Sequence, residues 1–246
     1  MPSLVLAHAR YQILEQIRVP IGLVASGLFP AISMLAFVVP FAGSDPLSAT
    51  VATGSMMLIG AMSAALISLA ISVSQDREQP WNPYLRTLPA GPVPHFTGRI
   101  LTTMAMMLTS MIPVLLIAAL FTEASISGLR LVLGVGAVLV AAVPFMLIGL
   151  FLGFTLPSKA AIAVSQILFF PLAIAGGLMV PLQMMPGFIG TLSAFLPSRG
   201  AGELIWWTAT GVTPAVLPLV TLAVWTALAG AGAAWAYRRD EGRRFA

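Results

Sequence analysis

Apolar residues fill six blocks of this chain, at about 19–41, 49–74, 100–121, 131–154, 160–181 and 212–237. Each is long enough to cross a hydrocarbon core of roughly 30 Å as a helix. The connections are mostly short and polar: Gly43-Ser44-Asp45-Pro46 after the first block, residues 122–130 after the third, and Pro157-Ser158-Lys159 after the fourth. The last of these is so tight that blocks four and five read as a helical hairpin. Pro30 lies inside the first block and predicts a kink. In the second block Gly60 and Ala64, and Ala61 and Ala65, stand four apart, a spacing that lets a neighbouring helix approach closely. Small residues are abundant everywhere in the chain, so simple composition explains the same spacing.

Three stretches break the alternation. Residues 3–18 are amphipathic at helical period, with His8, Gln12, Glu15 and Gln16 on one side and Leu4, Leu6, Tyr11, Leu14 and Ile17 on the other. This pattern predicts an interfacial helix rather than a signal peptide, because the apolar block behind it exceeds the usual signal length of about 7–15 residues. Residues 75–99 form the one long polar interruption between two membrane-length blocks. Within it Trp81, Tyr84, Leu85 and Leu88 fall at i, i+3, i+4 and i+7, which predicts a short amphipathic helix bracketed by Pro80, Pro83 and Pro89. Such a helix, hung between two spans, has the form of a docking knob. Residues 182–207 carry a stripe of Phe188, Leu192, Phe195 and Leu196 that breaks at Pro197-Ser198-Arg199-Gly200. The stripe is too short to span, which predicts a re-entrant or interfacial segment. Trp206 and Trp207 after it suit an aromatic belt at a membrane surface.

Composition sharpens this picture into a fold class. The 246 residues are 59% hydrophobic and 8% charged, with a mean hydropathy of +0.98 (composition in, hydropathy in), against roughly 25% charged residues in soluble domains. The expectation is an all-α integral membrane protein, one domain of six transmembrane helices over residues 1–246. Of twelve Lys and Arg residues, ten fall on one side if the amino terminus is inside, and only Arg130 and Arg199 on the other. That bias predicts both termini and the 75–99 loop in the cytoplasm. It also turns the basic balance into a topology signal and argues against nucleic acid as a partner.

The residues permit little catalysis. Cysteine is absent, and the two histidines, His8 and His95, lie in different segments, so no metal site is expected. The six blocks contain no Asp, Glu, Lys, Arg or His, which argues against ion-coupled transport. A phosphate-binding loop of the G-x-x-x-x-G-K-[ST] kind needs a lysine, and the single lysine, Lys159, sits in Leu156-Pro157-Ser158-Lys159-Ala160. No cofactor is therefore expected on this chain, and energy must come from a separate subunit.

Taken in order, the interfacial helix, the loop from Arg77-Glu78 to Leu85-Arg86-Thr87-Leu88-Pro89, and the stretch from Gly176-Gly177-Leu178-Met179-Val180-Pro181 to Met185-Pro186-Gly187 with Leu196-Pro197 beyond resemble the permease subunit of a type-2 ATP-binding-cassette (ABC) exporter. That class includes antibiotic-resistance (multidrug efflux), polysaccharide and lipid export permeases. The resemblance covers essentially the whole chain through loose motifs. One departure stands out: the family commonly has Gly-Thr after the loop glutamate, and this chain has Gln79-Pro80-Trp81.

The resemblance implies a connecting helix at 3–18, a coupling helix in the 75–99 loop and a re-entrant segment at 182–207. It implies an ABC ATPase partner in two copies, holding ATP and Mg, and a second permease copy or a related permease, in the cell (plasma or inner) membrane. Glu78, Trp81, Tyr84, Leu85, Arg86 and Glu15 are the candidates for ATPase coupling. Met107 and Met111, with Phe188 and Phe195 at the outer end, are the candidates for a path taken by hydrophobic or amphiphilic small molecules. Two other readings use the same residues: a non-transporting immunity or sensor subunit that docks an ATPase, and an intramembrane lipid-modifying enzyme.

Overall fold

The computed structural model of the chain describes residues 20–80 and 92–242, with side chains for 27–80 and 98–240. The expected interfacial helix at 3–18 and the amphipathic helix from Trp81 to Leu88 lie outside the described residues. Among those described, all regular structure is helical. The first block forms α1 (Pro20–Ser33), a π-turn (Met34–Val38) and α2 (Val39–Ala42). The widened turn begins one helical turn after Pro30, where a missing N–H already loosens the ladder. The second block forms α3 (Pro46–Met62), a second π-turn (Ser63–Ser68) and α4 (Leu69–Glu78). Asp45 caps α3 by accepting from the Ser48 N–H at 2.8 Å.

There follow α5 (Pro92–Phe121), α6 (Gly128–Ala141), α7 (Val143–Thr155), α8 (Ser158–Ala175), a 3-10 turn (Leu182–Met184), α9 (Gly187–Ser193), α10 (Pro197–Thr210) and α11 (Val216–Gly242). α6 and α7 make one span bent at Ala142, two residues before Pro144. Among the described residues five helices are long and apolar enough to cross a membrane: Pro46–Glu78, Gly98–Phe121, Gly128–Thr155, Ser158–Ala175 and Val216–Asp240. Gly27–Ala42, the part of the first helix described with side chains, is apolar but shorter.

The Pro46–Glu78 helix is the axis of the bundle: 72% of its most apolar window is buried, against 39% or less for the other four. Its 33 residues span about 50 Å at about 1.5 Å each, so the polar end beyond Ser74 projects past the hydrocarbon. Close approach is concentrated where α7 crosses the second π-turn. A Cβ on Gly149 would lie 2.4 Å from the Ala65 carbonyl oxygen, so only glycine admits the two backbones. The expected small-residue pair contributes as well, since Gly60 faces Ser110 and Pro30.

Two expected boundaries move for local reasons. The fifth span stops at Ala175 rather than 181. Gly177 adopts φ +80°, its N–H bonds the Ile174 carbonyl, and the Leu178 N–H bonds the Ala173 carbonyl. This is a Schellman ending, closed by the buried Leu178. In the 182–207 stretch, Pro197-Ser198-Arg199-Gly200 opens α10 instead of merely breaking a helix, because proline at the first helical position loses a hydrogen bond it would not have made. Trp206 is correspondingly packed within the protein rather than in a belt. Its indole N–H donates to the Ser55 hydroxyl at 2.9 Å, and Arg199 lies over its ring. Trp207 remains exposed.

Candidate functional site: a polar clamp at the foot of the bundle

The bundle has two polar ends. The foot gathers the end of α4, the start of α5, the α7–α8 joint and the end of α11. The head gathers Asp45, Glu123, Arg130 and the end of α10. The foot is the candidate site, and it is built on three consecutive residues, Asp76, Arg77 and Glu78, in the last turn of α4. Successive residues on a helix point about 100° apart, so three in a row fan around most of its circumference. Each therefore reaches a different neighbour.

Arg77 enters the gap between α7 and α11. Its Nε donates to Oδ1 of Asp240 at 2.9 Å, and its Nη2 lies 2.9 Å from the same oxygen. Its Nη1 donates to the Gly153 carbonyl at 2.8 Å and the Leu156 carbonyl at 3.3 Å. Those carbonyls belong to the end of α7, where helix geometry leaves acceptors without intrahelical donors and partial negative charge collects. One guanidinium fork thus closes one helix and pairs with the carboxylate of another. The Asp240 side chain is only 4% exposed, so this is a desolvated contact rather than a surface ion pair. About one turn away, Phe154 of α7 meets Tyr237 of α11 edge to face at 5.5 Å.

Glu78 closes the start of α8. Pro157, at the cap position of that helix, offers no side-chain acceptor. Glu78 supplies one from α4: Oε1 accepts from the Ser158 backbone N–H at 2.8 Å and Oε2 from the Ser158 hydroxyl at 2.6 Å. It is an N-cap donated by another helix, with a negative charge at the positive end of the dipole. Asp76, on the third side, pairs with Arg99 of α5, whose side chain is 8% exposed. Four helices are held by one turn of α4, immediately before residues 81–91.

Among the sequence-predicted coupling residues, Glu78 lies in this clamp. Trp81, Tyr84, Leu85, Arg86 and Glu15 fall outside the described residues. The predicted path residues are dispersed: Met107 and Met111 are fully buried in the core of the single subunit, while Phe188 and Phe195 are exposed at the head. A cavity of about 300 Å³ exists elsewhere, between α3, α5, α6 and α10 at the head, and neither methionine lines it. Sequence reasoning missed Asp76, Arg77, Arg99, Ser158 and Asp240. The one available signal was the run Asp76-Arg77-Glu78 at the end of an apolar block, with Asp240-Glu241 set among arginines at the end of another. Nothing in the linear order says which of these meet.

Comparison with known proteins gives the arrangement a context. A family model described as ABC-2 type transporter matches residues 3–210. The chain is also similar to a Bacillus subtilis (strain 168) protein named "Putative transport permease YvfS", with 24% identity over 160 residues. That match covers 65% of this chain and 65% of the relative's length.

Proposed function

The chain belongs to the ABC-2 type transporter family, and we propose that it is the membrane subunit of an ATP-driven exporter of hydrophobic or amphiphilic small molecules. In this reading an ABC ATPase docks on the 75–99 loop, with Trp81, Tyr84, Leu85 and Arg86 as its contact. The clamp carries the push onward. Because Asp76, Arg77 and Glu78 lie directly before the docking residues and hold α5, α7, α8 and α11, displacement of the loop is delivered to four span ends together. That single arrangement is the observation on which the reading rests. The distribution of charge supports the orientation: Arg77, Arg99, Lys159, Arg238 and Arg239 sit at the foot and Arg130 and Arg199 at the head, as a cytoplasmic foot requires. The helix Pro20–Ala42 serves as the sixth span, and α9 with α10 as the re-entrant segment. Two copies of the subunit, or this chain and a related one, sit over two ATPases that hold ATP and Mg.

The clamp also determines how the reading is tested. Reversing Glu78 removes the cap of α8 and confounds docking with folding, so the informative variants are Trp81→Ala and Arg86→Glu. The tagged full-length chain is purified from its native membranes and assayed for a bound ATPase and for ATP turnover. The wild type is expected to bring both and the double variant to lose both while keeping its thermal midpoint. A wild type that carries no ATPase, or a variant that retains full turnover, overturns the proposal.

A further inference from the structure

The cavity at the head has features of a binding site that the transport reading does not use. At about 300 Å³ it sits at the small end of ligand pockets, which run from about 300 to 1,000 Å³. Given about 30 Å³ for a water-sized group, it accommodates a linear segment of about ten carbons and excludes a whole two-chain lipid.

Its chemistry is that of hydrocarbon. Met57, Leu115, Val138 and Ile205 line it, together with three threonines whose hydroxyls are already engaged. Thr50 donates to the Pro46 carbonyl, Thr53 to the Ala49 carbonyl and Thr208 to the Ile205 carbonyl. A water inside needs two to four polar partners, and these side chains have their donors committed, so hydrocarbon is the better occupant. Access is from the flank, where the lining residues Ala119 and Ile126 are exposed beside the apolar Leu120 and Val132.

The rim supplies a charge. Arg130 precedes the lining residue Leu131, and its Nη1 donates to the carbonyl of Ala209, another lining residue, at 3.4 Å. Among the described residues Arg130 makes no ion pair, unlike Arg77, Arg99 and Arg199. An apolar slot for about ten carbons beside a cation free to pair matches a molecule with one alkyl chain and one anionic head.

We infer that the cavity between α3, α5, α6 and α10 binds a single-chain anionic amphiphile of medium length, its chain inside and its carboxylate on Arg130. The full-length chain, reconstituted without any ATPase in phosphatidylcholine vesicles, is photolabelled with a carboxylic acid of about ten carbons bearing a diazirine near the chain end. The corresponding primary alcohol is run in parallel. Labelled peptides are read by mass spectrometry.

The acid is expected to label residues 115–138 and 205–209 selectively, and the alcohol to label them severalfold less. Ala119→Trp, a substitution at an exposed position, plugs the entrance and abolishes the labelling. Arg130→Gln, at the surface, makes acid and alcohol equal. Labelling spread evenly over the lipid-facing helices, or unaffected by Ala119→Trp, overturns the inference. Equal labelling by acid and alcohol in the wild type overturns the assignment of the head to Arg130. Because no ATPase is present, a negative result here leaves the transport reading standing, and loss of the ATPase in co-purification leaves this site untouched.

Discussion

At the foot, Asp76, Glu78 and Arg77 reach partners 23, 80 and 163 positions away in the chain. At the head, Arg199 pairs with Glu203 one turn along the same helix, and Asp45 caps its own helix through Ser48. The foot therefore joins helices through ion pairs, whereas the ion pair at the head stays within one helix and the head's contacts between elements run to neutral groups, as from Arg130 to the Ala209 carbonyl. A contact that closes a long loop constrains both of its helices at once, whereas a local contact trims the end of one. The first arrangement suits a point where force enters. The second leaves room between helices, and the cavity lies there.

The sharpest way to break this contrast is at Arg77. Arg77→Met leaves the buried Asp240 without its guanidinium and the end of α7 without its donor, and is expected to cost about 3–5 kcal/mol. Denaturant titration of the purified protein in detergent reads this directly. Adding Asp240→Leu is expected to restore much of the loss, since an apolar pair in place of a buried ion pair is close to neutral. No recovery in the double variant means that the contact is not the clamp described here.

A smaller effect is expected at Glu78, where only α8 is released. Glu78→Ala lowers the thermal midpoint by less than Arg77→Met does, and Glu78→Gln, which keeps an acceptor for the Ser158 N–H, stays near wild type. At the head, Arg199→Met removes the pair with Glu203 and the stacking on Trp206, both partly exposed, and is expected to cost about 1 kcal/mol. A loss as large as that of Arg77→Met erases the distinction between the two ends.

The smallest effect concerns pH. The hydrogen bonds from Ser48, side chain first and backbone second, hold the exposed Asp45 carboxyl below its ordinary value of 3.8. A depressed carboxyl stabilises the fold above that ordinary value and loses the contribution as pH falls through the lowered one. The stability difference between wild type and Asp45→Asn is therefore expected to be constant near neutral pH and to shrink only in acid below 3.8. A difference that changes near neutrality assigns the titration to another group.

The sequence by itself determined the class of molecule and the places where its chain turns. Runs of apolar residues longer than a bilayer is thick leave a helix as the only backbone that satisfies its own hydrogen bonds. Polar joints such as Gly43-Ser44-Asp45-Pro46 and Pro157-Ser158-Lys159 mark the helix ends from local chemistry alone. The Schellman ending at Gly177 and the start of α10 at Pro197 were written locally too, in signals weaker than the hydropathy that surrounds them. Only the tertiary structure decided that Arg77 closes α7 while holding Asp240, that Glu78 caps a helix 80 residues on, and that Met107 and Met111 fill a core. The reason is physical: a side chain's hydropathy and helical phase are properties of its neighbourhood in sequence, but its partner depends on how whole helices pack, and that packing is set by close approaches such as Gly149 on the Ala65 carbonyl.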